Sequence, residues 1–215
     1  MVNLHDLAIL ESLALPMVDC LVIGYLFGSI PSGLWIVKAL HQIDIREYGS
    51  HNIGSTNVFR TVGIKTAVLV LLSDALKGIL ACVIASYLYH MHFLTAICAI
   101  GTILGHNYSL FLGLKGGKGV ATGLGLLIYL MPDVCVVSLI VWALIVFATR
   151  YVSLASMAAA AVGPFLAWYL HYPRSYIALS AICGIFIIIR HKENILRLIA
   201  GNENKIKMGN AKNLQ

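Results

Sequence analysis

The sequence predicts an all-α integral membrane protein, built as a bundle of about seven transmembrane helices. Of its 215 residues, 60% are hydrophobic and only 11% are charged, and the mean hydropathy is +0.87. Soluble domains carry about 25% charged residues, so this composition could not cover a water-facing surface. The five cysteines lie in apolar stretches and form no CxxC pair, which argues against a disulfide scaffold.

The N-terminal region is expected to be a retained membrane span rather than a cleaved signal peptide. A secretory signal begins with a positively charged region. Residues 1–19 contain no Lys or Arg and carry Asp6, Glu11 and Asp19. The first apolar run therefore counts as the first helix.

Seven apolar runs define the predicted helices, because a helix crosses the hydrocarbon core with about 20 residues. The predicted spans lie near residues 17–39, 64–89, 93–112, 119–131, 133–149, 154–170 and 174–190. The fourth run has only 13 residues. Together the fourth and fifth runs cover 31 residues, which is too many for one span, and Pro132 separates them, so they are counted as two spans. No internal repeat is apparent, so residues 1–215 are expected to form a single membrane domain.

The distribution of basic residues predicts an N-terminus outside the cell and a C-terminus in the cytoplasm. Short cytoplasmic loops retain positive charge, and this orientation puts thirteen of the fifteen Lys and Arg residues on the cytoplasmic side. These are Lys38, Arg46, Arg60, Lys65, Lys115, Lys118, Arg150, Arg190, Lys192, Arg197, Lys205, Lys207 and Lys212. Topology and attraction to anionic lipid then explain the net charge of +6. Membrane lipid is an expected partner and nucleic acid is not.

Four polar segments with glycines fall on the predicted cytoplasmic face. They are residues 48–57 with Arg60, residues 105–107 and 115–119 with Thr122, residues 150–156, and residues 191–194 with Arg197 and 201–203. Glycine lets the backbone approach a ligand closely, successive N–H groups form anion-binding concavities, and Lys and Arg add charge-assisted hydrogen bonds. A single Lys-Gly-Gly-Lys-Gly run would indicate only interfacial turns, but four segments on one face predict a site for one or two phosphate groups.

Absent motifs narrow the chemistry. The run at 115–119 is not a nucleotide P-loop, because Gly119 follows Lys118 where Ser or Thr is required. Carboxylates on this face are few and scattered, and no HExxH or Cys/His ligand spacing occurs, so neither a metal nor a cofactor is predicted. No histidine has an aspartate five positions on, an acid–base pattern of many glycerolipid acyltransferases. The site is therefore expected to use a substrate that is already activated.

Five motifs, spread over nearly the whole chain, resemble those of one family. They read GSIPSG at 28–33, GSHNIGSTN at 49–57, GHNYSLFLGLKGGKGVAT at 105–122, RYVSLAS at 150–156 and HKENILRLIAGNE at 191–203. In these motifs the chain resembles the bacterial membrane glycerol-3-phosphate acyltransferases that use acyl phosphate as donor. It departs from them at His51 and Ser55, where the family usually has glycine and alanine.

The resemblance implies transfer of the acyl group of an acyl phosphate to the sn-1 hydroxyl of glycerol 3-phosphate. The products would be 1-acyl-sn-glycerol 3-phosphate and inorganic phosphate, in the first acylation of phospholipid synthesis. It also implies a multi-pass protein of the bacterial inner membrane with its active site at the cytoplasmic face. An upstream enzyme that makes acyl phosphate from acyl-carrier-protein would be a partner. An acyl phosphate is a mixed anhydride, so it is a substrate activated in advance.

The same resemblance places Ser50, Arg60, Lys118, Ser156, His191 and Asn194 at the site, and neighbouring polar residues and glycines of the motifs are expected to join them. The expected catalytic residues are His191, Asn194 and Ser156. The expected substrate-binding residues are Ser50, Asn52, Asn57, Arg60, Lys115, Gly116, Gly117, Lys118, Gly119 and His106. Lys118 and Arg60 are assigned mainly to phosphate, with Gly116, Gly117 and Gly119 as backbone donors. Either His191 or the donor's own phosphate is expected to accept the proton.

Some polar residues have two interpretations. Asp74 and Lys77 lie three positions apart inside the second span, where charge is costly, so they either pair with each other or support the site. His106 and Asn107 either contact substrate or cap a helix end. Ser29, Pro31 and Ser32 are expected to kink the first helix and to form hydrogen bonds there.

Two other functions are compatible with parts of the sequence. A small transporter or flippase for an anionic phosphorylated solute would need a midplane site with access from both sides, whereas these polar residues crowd one face. An acyltransferase that takes acyl-CoA or acyl-carrier-protein donors would normally carry the missing histidine and aspartate pattern. Both are weaker interpretations than the acyl phosphate enzyme.

Overall fold

The computed structural model describes residues 4–206, and its regular elements in this range are helical. The α-helices are α1 Leu4–Ser29, α2 Ser32–His41, α3 Ser55–Val62, α4 Ile64–Tyr89, α5 His92–Asn107, α6 Val120–Leu130, α7 Pro132–Thr149, α8 Val152–Tyr169, α9 Arg174–Arg190 and α10 Lys192–Ile199. Single 3₁₀ turns lie at Ile45–Glu47 and Leu110–Leu112. Of the basic residues used to predict orientation, Lys207 and Lys212 lie outside the described residues.

The predicted all-helical membrane class is confirmed, and most predicted spans match helices. Among the described residues, five segments are long and apolar enough to cross a membrane, namely Glu11–His41, Ile64–Tyr89, His92–Leu112, Pro132–Thr149 and Val152–Tyr169. A sixth is reached if α9 and α10, bent by 58° from each other, form one span. Helix α6 is apolar but has only 11 residues, about 16 Å against a hydrocarbon core of about 30 Å. The count of seven and the orientation of the termini stay predictions.

The first predicted span, 17–39, differs from the structure because the helix is broken. Helix α1 ends at Ser29 and α2 begins at Ser32, with Pro31 between them. Proline has no N–H to continue the helical ladder, so carbonyl groups near the break lose their helical partners. Ser109 Oγ donates to Ser29 O at 2.5 Å, and Lys77 Nζ donates to Ile30 O at 2.8 Å.

The buried charges of α4 stabilise this break. Lys77 Nζ lies 2.8 Å from Asp74 Oδ1, and the two side chains are 4% and 1% exposed. The pair therefore neutralises itself inside the bundle while Lys77 also satisfies a carbonyl of the first helix. This contact supports the structural interpretation of the two residues, although Asp74 also lines the central cavity.

Glycines bring α1 and α5 into close contact. A Cβ atom at Gly28 would lie 2.1 Å from Thr102 O, and one at Gly105 would lie 2.2 Å from Tyr25 O. Small residues at such positions let transmembrane helices approach backbone to backbone. This packing fixes the C-terminal end of α5, from which the glycine-rich loop starts.

The four polar segments meet at one end of the bundle. Hydrogen bonds join them directly: Arg190 contacts Gly117, Lys118 contacts Asn194, and Arg60 contacts Asn204. The segment at 150–156 is joined through Ser153, whose Oγ donates to Glu203 Oε1. The predicted convergence of these segments is confirmed by contacts.

Candidate active site

A cavity of about 320 Å³ opens at this end and continues between α6, α7, α8 and α9. Its mouth is polar, with Ser50, Arg60, Lys118, His191 and Asn194 among its lining residues. Its deeper part is largely apolar and is lined by residues such as Leu127, Met131, Trp142, Leu179 and Ile187. The cavity therefore combines a charged mouth with an apolar channel.

The glycine-rich loop is held to the end of α5 by its own amides. Gly116 N–H donates to Asn107 O at 3.1 Å, and Gly117 N–H donates to His106 O at 3.0 Å. A Cβ at Gly117 would lie 2.2 Å from His106 Nε2, so only glycine fits against that imidazole. These two N–H groups are therefore not free to bind phosphate as predicted, and their role is to seat the loop.

Arg190 holds the same loop from the opposite side. Its Nε donates to Gly117 O at 3.2 Å, its Nη2 donates to Gly116 O at 3.1 Å, and its guanidinium lies 5.5 Å from the centre of the Tyr108 ring. From the sequence, Arg190 was counted only among the basic residues that predict the orientation of the chain. The sequence feature that could have identified Arg190 is its position directly before His191, at the end of α9 next to the loop.

The first turn of α6 provides amides that the loop does not use. Gly119 has φ of 84° and is the N-cap residue that precedes α6, and Gly119, Val120 and Ala121 line the cavity. The first N–H groups of a helix have no partner within it, and together with the helix dipole they favour an anion. Of the predicted backbone donors, Gly119 is the one placed to face a ligand.

Lys118 is joined to a buried carboxylate through Asn194. Lys118 Nζ donates to Asn194 Oδ1, and Asn194 Nδ2 donates to Glu203 Oε1 at 2.7 Å. Ser153 Oγ donates to the same Glu203 oxygen at 2.8 Å, and Arg197 Nε donates to Oε2 at 2.8 Å. Asn194 thus orients the lysine while Glu203 orients Asn194.

Burial and hydrogen bonds shift the pKa values of these groups. Burial, followed by the charge of Arg197, lowers the pKa of Lys118 to about 8. Burial alone would raise the pKa of Glu203, but hydrogen bonds from Asn194, Ser153 and Arg197 outweigh it and hold that pKa below its ordinary value. Near neutral pH the site therefore holds an ammonium and a paired carboxylate.

His191 presents one nitrogen to the cavity. Its Nδ1 lies 2.7 Å from Ile187 O, which can only accept, so Nδ1 carries the proton. Burial, helped by the charge of Lys118, lowers the pKa of His191 to about 4. The neutral ring then has an unprotonated Nε2, which suits it to accept a hydrogen bond from a hydroxyl group.

The first loop is shaped by Asn57. Its Oδ1 accepts from Ser50 N–H at 2.8 Å, and its Nδ2 lies 3.0 Å from Tyr48 O and 2.9 Å from Asn52 O. Asn57 lines the cavity but its amide is occupied by the backbone, so its contacts fit loop formation better than the substrate binding predicted for it. Asn52 Oδ1 caps Gly54 N–H at 2.8 Å and also lines the cavity.

Arg60 stands at the mouth of the cavity with an exposed side chain. Its Nη2 donates to Asn204 O at 2.8 Å, which ties α3 to the segment after α10. Ser50 lies beside it in the lining and is partly buried. Both are placed where a phosphate at the mouth could be contacted.

The surroundings of three more predicted site residues bear on the roles expected for them, and two of these residues, Ser156 and His106, line the cavity. Lys115 is exposed and is not among the residues that line the cavity. Ser156 Oγ donates to Val152 O at 2.8 Å and accepts from Trp142 Nε1 at 3.2 Å, so the catalytic role predicted for it finds no support in these contacts. His106 lines the cavity, but its Nδ1 is 3.1 Å from Thr122 Oγ1 behind the loop.

Sequence reasoning missed three residues of the polar network. Ser153, Arg197 and Glu203 belong to motifs that had been recognised, but none was assigned a catalytic or binding role. The motifs themselves could have pointed to these residues. The last residue of HKENILRLIAGNE, for example, is the carboxylate that orients Asn194. Among the described residues, no group of three His, Cys, Asp or Glu side chains could hold a metal ion.

Comparison with known proteins gives one consistent result. A family model described as glycerol-3-phosphate acyltransferase matches residues 18–201. A glycerol-3-phosphate acyltransferase of Fusobacterium nucleatum is 44% identical over 187 residues, which are 87% of this chain and 96% of the relative. One of Trichlorobacter lovleyi is 46% identical over 185 residues, covering 86% of this chain and 94% of the relative.

Two solved structures are similar over most of the chain. One is a crystal structure of PlsY (YgiH), an integral membrane glycerol 3-phosphate acyltransferase, in its glycerol 3-phosphate form. Its TM-score is 0.84 and its identity 38%, over 89% of this chain and 96% of that one. The lysophosphatidic acid form of the same protein has a TM-score of 0.82 and is 37% identical. The match covers 89% of this chain and 95% of that one.

Proposed function

The chain belongs to the glycerol-3-phosphate acyltransferase family, and we propose that it transfers the acyl group of an acyl phosphate to the sn-1 hydroxyl of glycerol 3-phosphate. That it is an acyltransferase of glycerol 3-phosphate follows from membership of the family. The acyl phosphate donor and the sn-1 position are the proposal. The transporter interpretation of the sequence gains no support, because the cavity opens from the polar end and its far end is packed.

The observation that carries the proposal is the continuity of the cavity. Its mouth brings Arg60, Lys118 and the first turn of α6 to one place, which suits phosphate groups. The same cavity continues as an apolar channel into the bundle. A substrate that combines a phosphate with a long acyl chain matches both parts.

The reaction needs no covalent enzyme intermediate. The sn-1 oxygen attacks the carbonyl carbon of the mixed anhydride and forms the ester bond. The bond from that carbon to the phosphate oxygen breaks, and the phosphate leaves with the electron pair. Lys118 and the α6 amides hold the negative charge, and the site gains rate mainly by orientation and electrostatic stabilisation.

The proton of the hydroxyl goes to the leaving phosphate in this proposal. His191 has Nδ1 hydrogen-bonded to a backbone carbonyl rather than to a carboxylate, and its pKa of about 4 makes it a weak base. Its Nε2 instead accepts a hydrogen bond that aims the hydroxyl. If His191→Ala retained full turnover at saturating substrate, even this positioning role would be excluded.

The remaining parts of the proposal concern place and partners. The protein is placed in the bacterial inner membrane with the polar end facing the cytoplasm, which the distribution of basic residues supports. Its reaction uses no metal or cofactor. An enzyme that forms acyl phosphate from acyl-carrier-protein would supply the donor.

The test is a comparison of donors with purified protein in detergent micelles. Glycerol 3-phosphate with palmitoyl phosphate, in buffer containing a metal chelator, should give equal amounts of inorganic phosphate and 1-palmitoyl-glycerol 3-phosphate. Product analysis by chromatography distinguishes the sn-1 from the sn-2 ester. Activity with palmitoyl-CoA alone, or a product acylated at sn-2, would contradict the proposal.

A further inference from the structure

The apolar channel has a packed floor. Met131 and Leu179 line the cavity and are 1% and 2% exposed. Both belong to a cluster of buried side chains that also includes Ala167 and Tyr176. The channel therefore ends against close-packed protein rather than continuing along the bundle.

The channel also has a definite depth. On α8 its lining runs from Val152, near the mouth, to Gly163. At 1.5 Å per residue this separation is about 17 Å. One leaflet of a bilayer is half of a hydrocarbon core of about 30 Å, so the depth is close to the length of one lipid acyl chain.

Gly163 lies at the narrow part of the deep end. A Cβ at this position would be 2.8 Å from Ser180 Oγ on α9. Gly163 and Ser180 both line the cavity, and because a Cβ at Gly163 would crowd Ser180, a longer side chain at this position has to extend into the cavity next to the floor. A larger residue here would fill the end of the channel.

We propose that Gly163 and Leu179 set the acyl-chain length that this enzyme accepts, with Leu179 as the floor and Gly163 as the gap above it. The inference rests on the proposed function, because it takes the acyl chain of the donor as the occupant of the channel. Each methylene that finds no apolar space loses about 0.8 kcal/mol of burial, which is about fourfold in kcat/KM.

The experiment measures kcat/KM for acyl phosphates of 12, 14, 16 and 18 carbons with wild-type and variant enzymes. Gly163→Leu should lower the ratio of the 16-carbon to the 12-carbon donor by about tenfold or more, since two or more methylenes lose their place. Leu179→Ala should shift the ratio the other way and raise the 18-carbon to 14-carbon ratio about fourfold. Ile185→Ala is the control, because Ile185 is on the same helix as Leu179 but is 58% exposed and does not line the cavity.

The outcomes separate this inference from the proposed function. If wild-type enzyme used none of the acyl phosphates, the proposed donor would be wrong. If it used them but the two variants and the Ile185→Ala control gave the same chain-length profile, the channel floor would not set length. Where Gly163→Leu fails to fold, the direction of the Leu179→Ala shift decides the question.

Discussion

Lys118 gives the site a charge that depends on pH. Its pKa is lowered to about 8 by burial and by Arg197, so the ammonium that attracts phosphate is lost as the pH rises through that value. We expect kcat/KM for glycerol 3-phosphate to fall above about pH 8, since this parameter reports the free enzyme. In Lys118→Arg the fall should vanish, because a guanidinium stays charged.

The measurement is a pH profile of kcat/KM from about pH 6 to 10 for both enzymes, corrected for spontaneous hydrolysis of the donor. The arginine variant is expected to be slower, but with a flat alkaline side. An identical alkaline fall in both enzymes would assign the pH dependence to another group.

Glu203 is the second residue whose charge matters. It is 2% exposed and accepts hydrogen bonds from Asn194, Ser153 and Arg197. Glu203→Gln removes the charge with little change in shape, so we expect a loss of about 1–3 kcal/mol in the free energy of unfolding and a lower activity. Because folding lowers the pKa of this carboxyl, its contribution is present above its ordinary value of 4.5 and is lost on acidification.

Thermal unfolding in detergent at pH 7 and pH 4 tests this prediction. Wild-type protein should lose more stability between the two pH values than Glu203→Gln. Equal losses would mean that the carboxylate contributes nothing through its charge.

Residue identities at the site were predictable only in part. Motifs located Lys118, His191 and Asn194, which do meet. Spacing could not show that the amides of Gly116 and Gly117 bind α5, or that the Ser156 hydroxyl is used by Val152 O. The φ of His51 is 56°, in the left-handed region that glycine adopts easily, which fits the glycine that the family resemblance led us to expect at this position.

At the scale of elements, the end of α9 positions the glycine-rich loop. Arg190 binds both Gly116 O and Gly117 O, so Arg190→Ala should let the loop move and displace Lys118. Misplacement of about 1 Å costs up to about 10²-fold in rate. We expect kcat/KM to fall by about that factor while the protein stays folded.

Two variants serve as controls for Arg190. Lys192→Ala removes an exposed basic residue at the same end and should have little effect. Arg190→Lys should restore activity only partly, because an ammonium cannot reproduce the two-armed geometry of arginine. Equal activities of the alanine variants at 190 and 192 would show that Arg190 contributes only general charge.

The broken first helix depends on the ion pair of α4. Lys77→Met would leave Asp74 unpaired and Ile30 O without its donor, which should cost about 3–5 kcal/mol of stability. The double variant Asp74→Asn/Lys77→Met should recover part of that loss, as measured by thermal unfolding in detergent. A double variant as unstable as Lys77→Met would show that charge pairing is not the reason.

Element boundaries followed hydropathy where apolar runs were uninterrupted. The predicted span 64–89 coincides with α4, and 174–190 coincides with α9. The break at Pro31 was expected only as a kink, because hydropathy does not register where carbonyl groups find their partners. The 58° bend between α9 and α10 falls at His191, directly after the end of the last predicted span.

On the scale of the whole molecule, loops far apart in sequence build one site. Arg60 and Asn204 are 144 positions apart, and Lys118 and Asn194 are 76 apart, yet both pairs are hydrogen-bonded. The bundle holds these loops at one end while the channel between α6 and α9 extends into its interior. The charged chemistry and the apolar tail thereby occupy separate parts of a single cavity.

The two lysines of the Lys-Gly-Gly-Lys-Gly run provide the most direct test of this account. Lys118 lines the cavity and contacts Asn194, whereas Lys115 is exposed outside it. Assayed with palmitoyl phosphate and glycerol 3-phosphate, Lys118→Ala should lose about 10²–10³-fold in kcat/KM, and Lys115→Ala should stay within about threefold of wild type. Comparable losses in the two folded variants would contradict the placement of the phosphate site at Lys118.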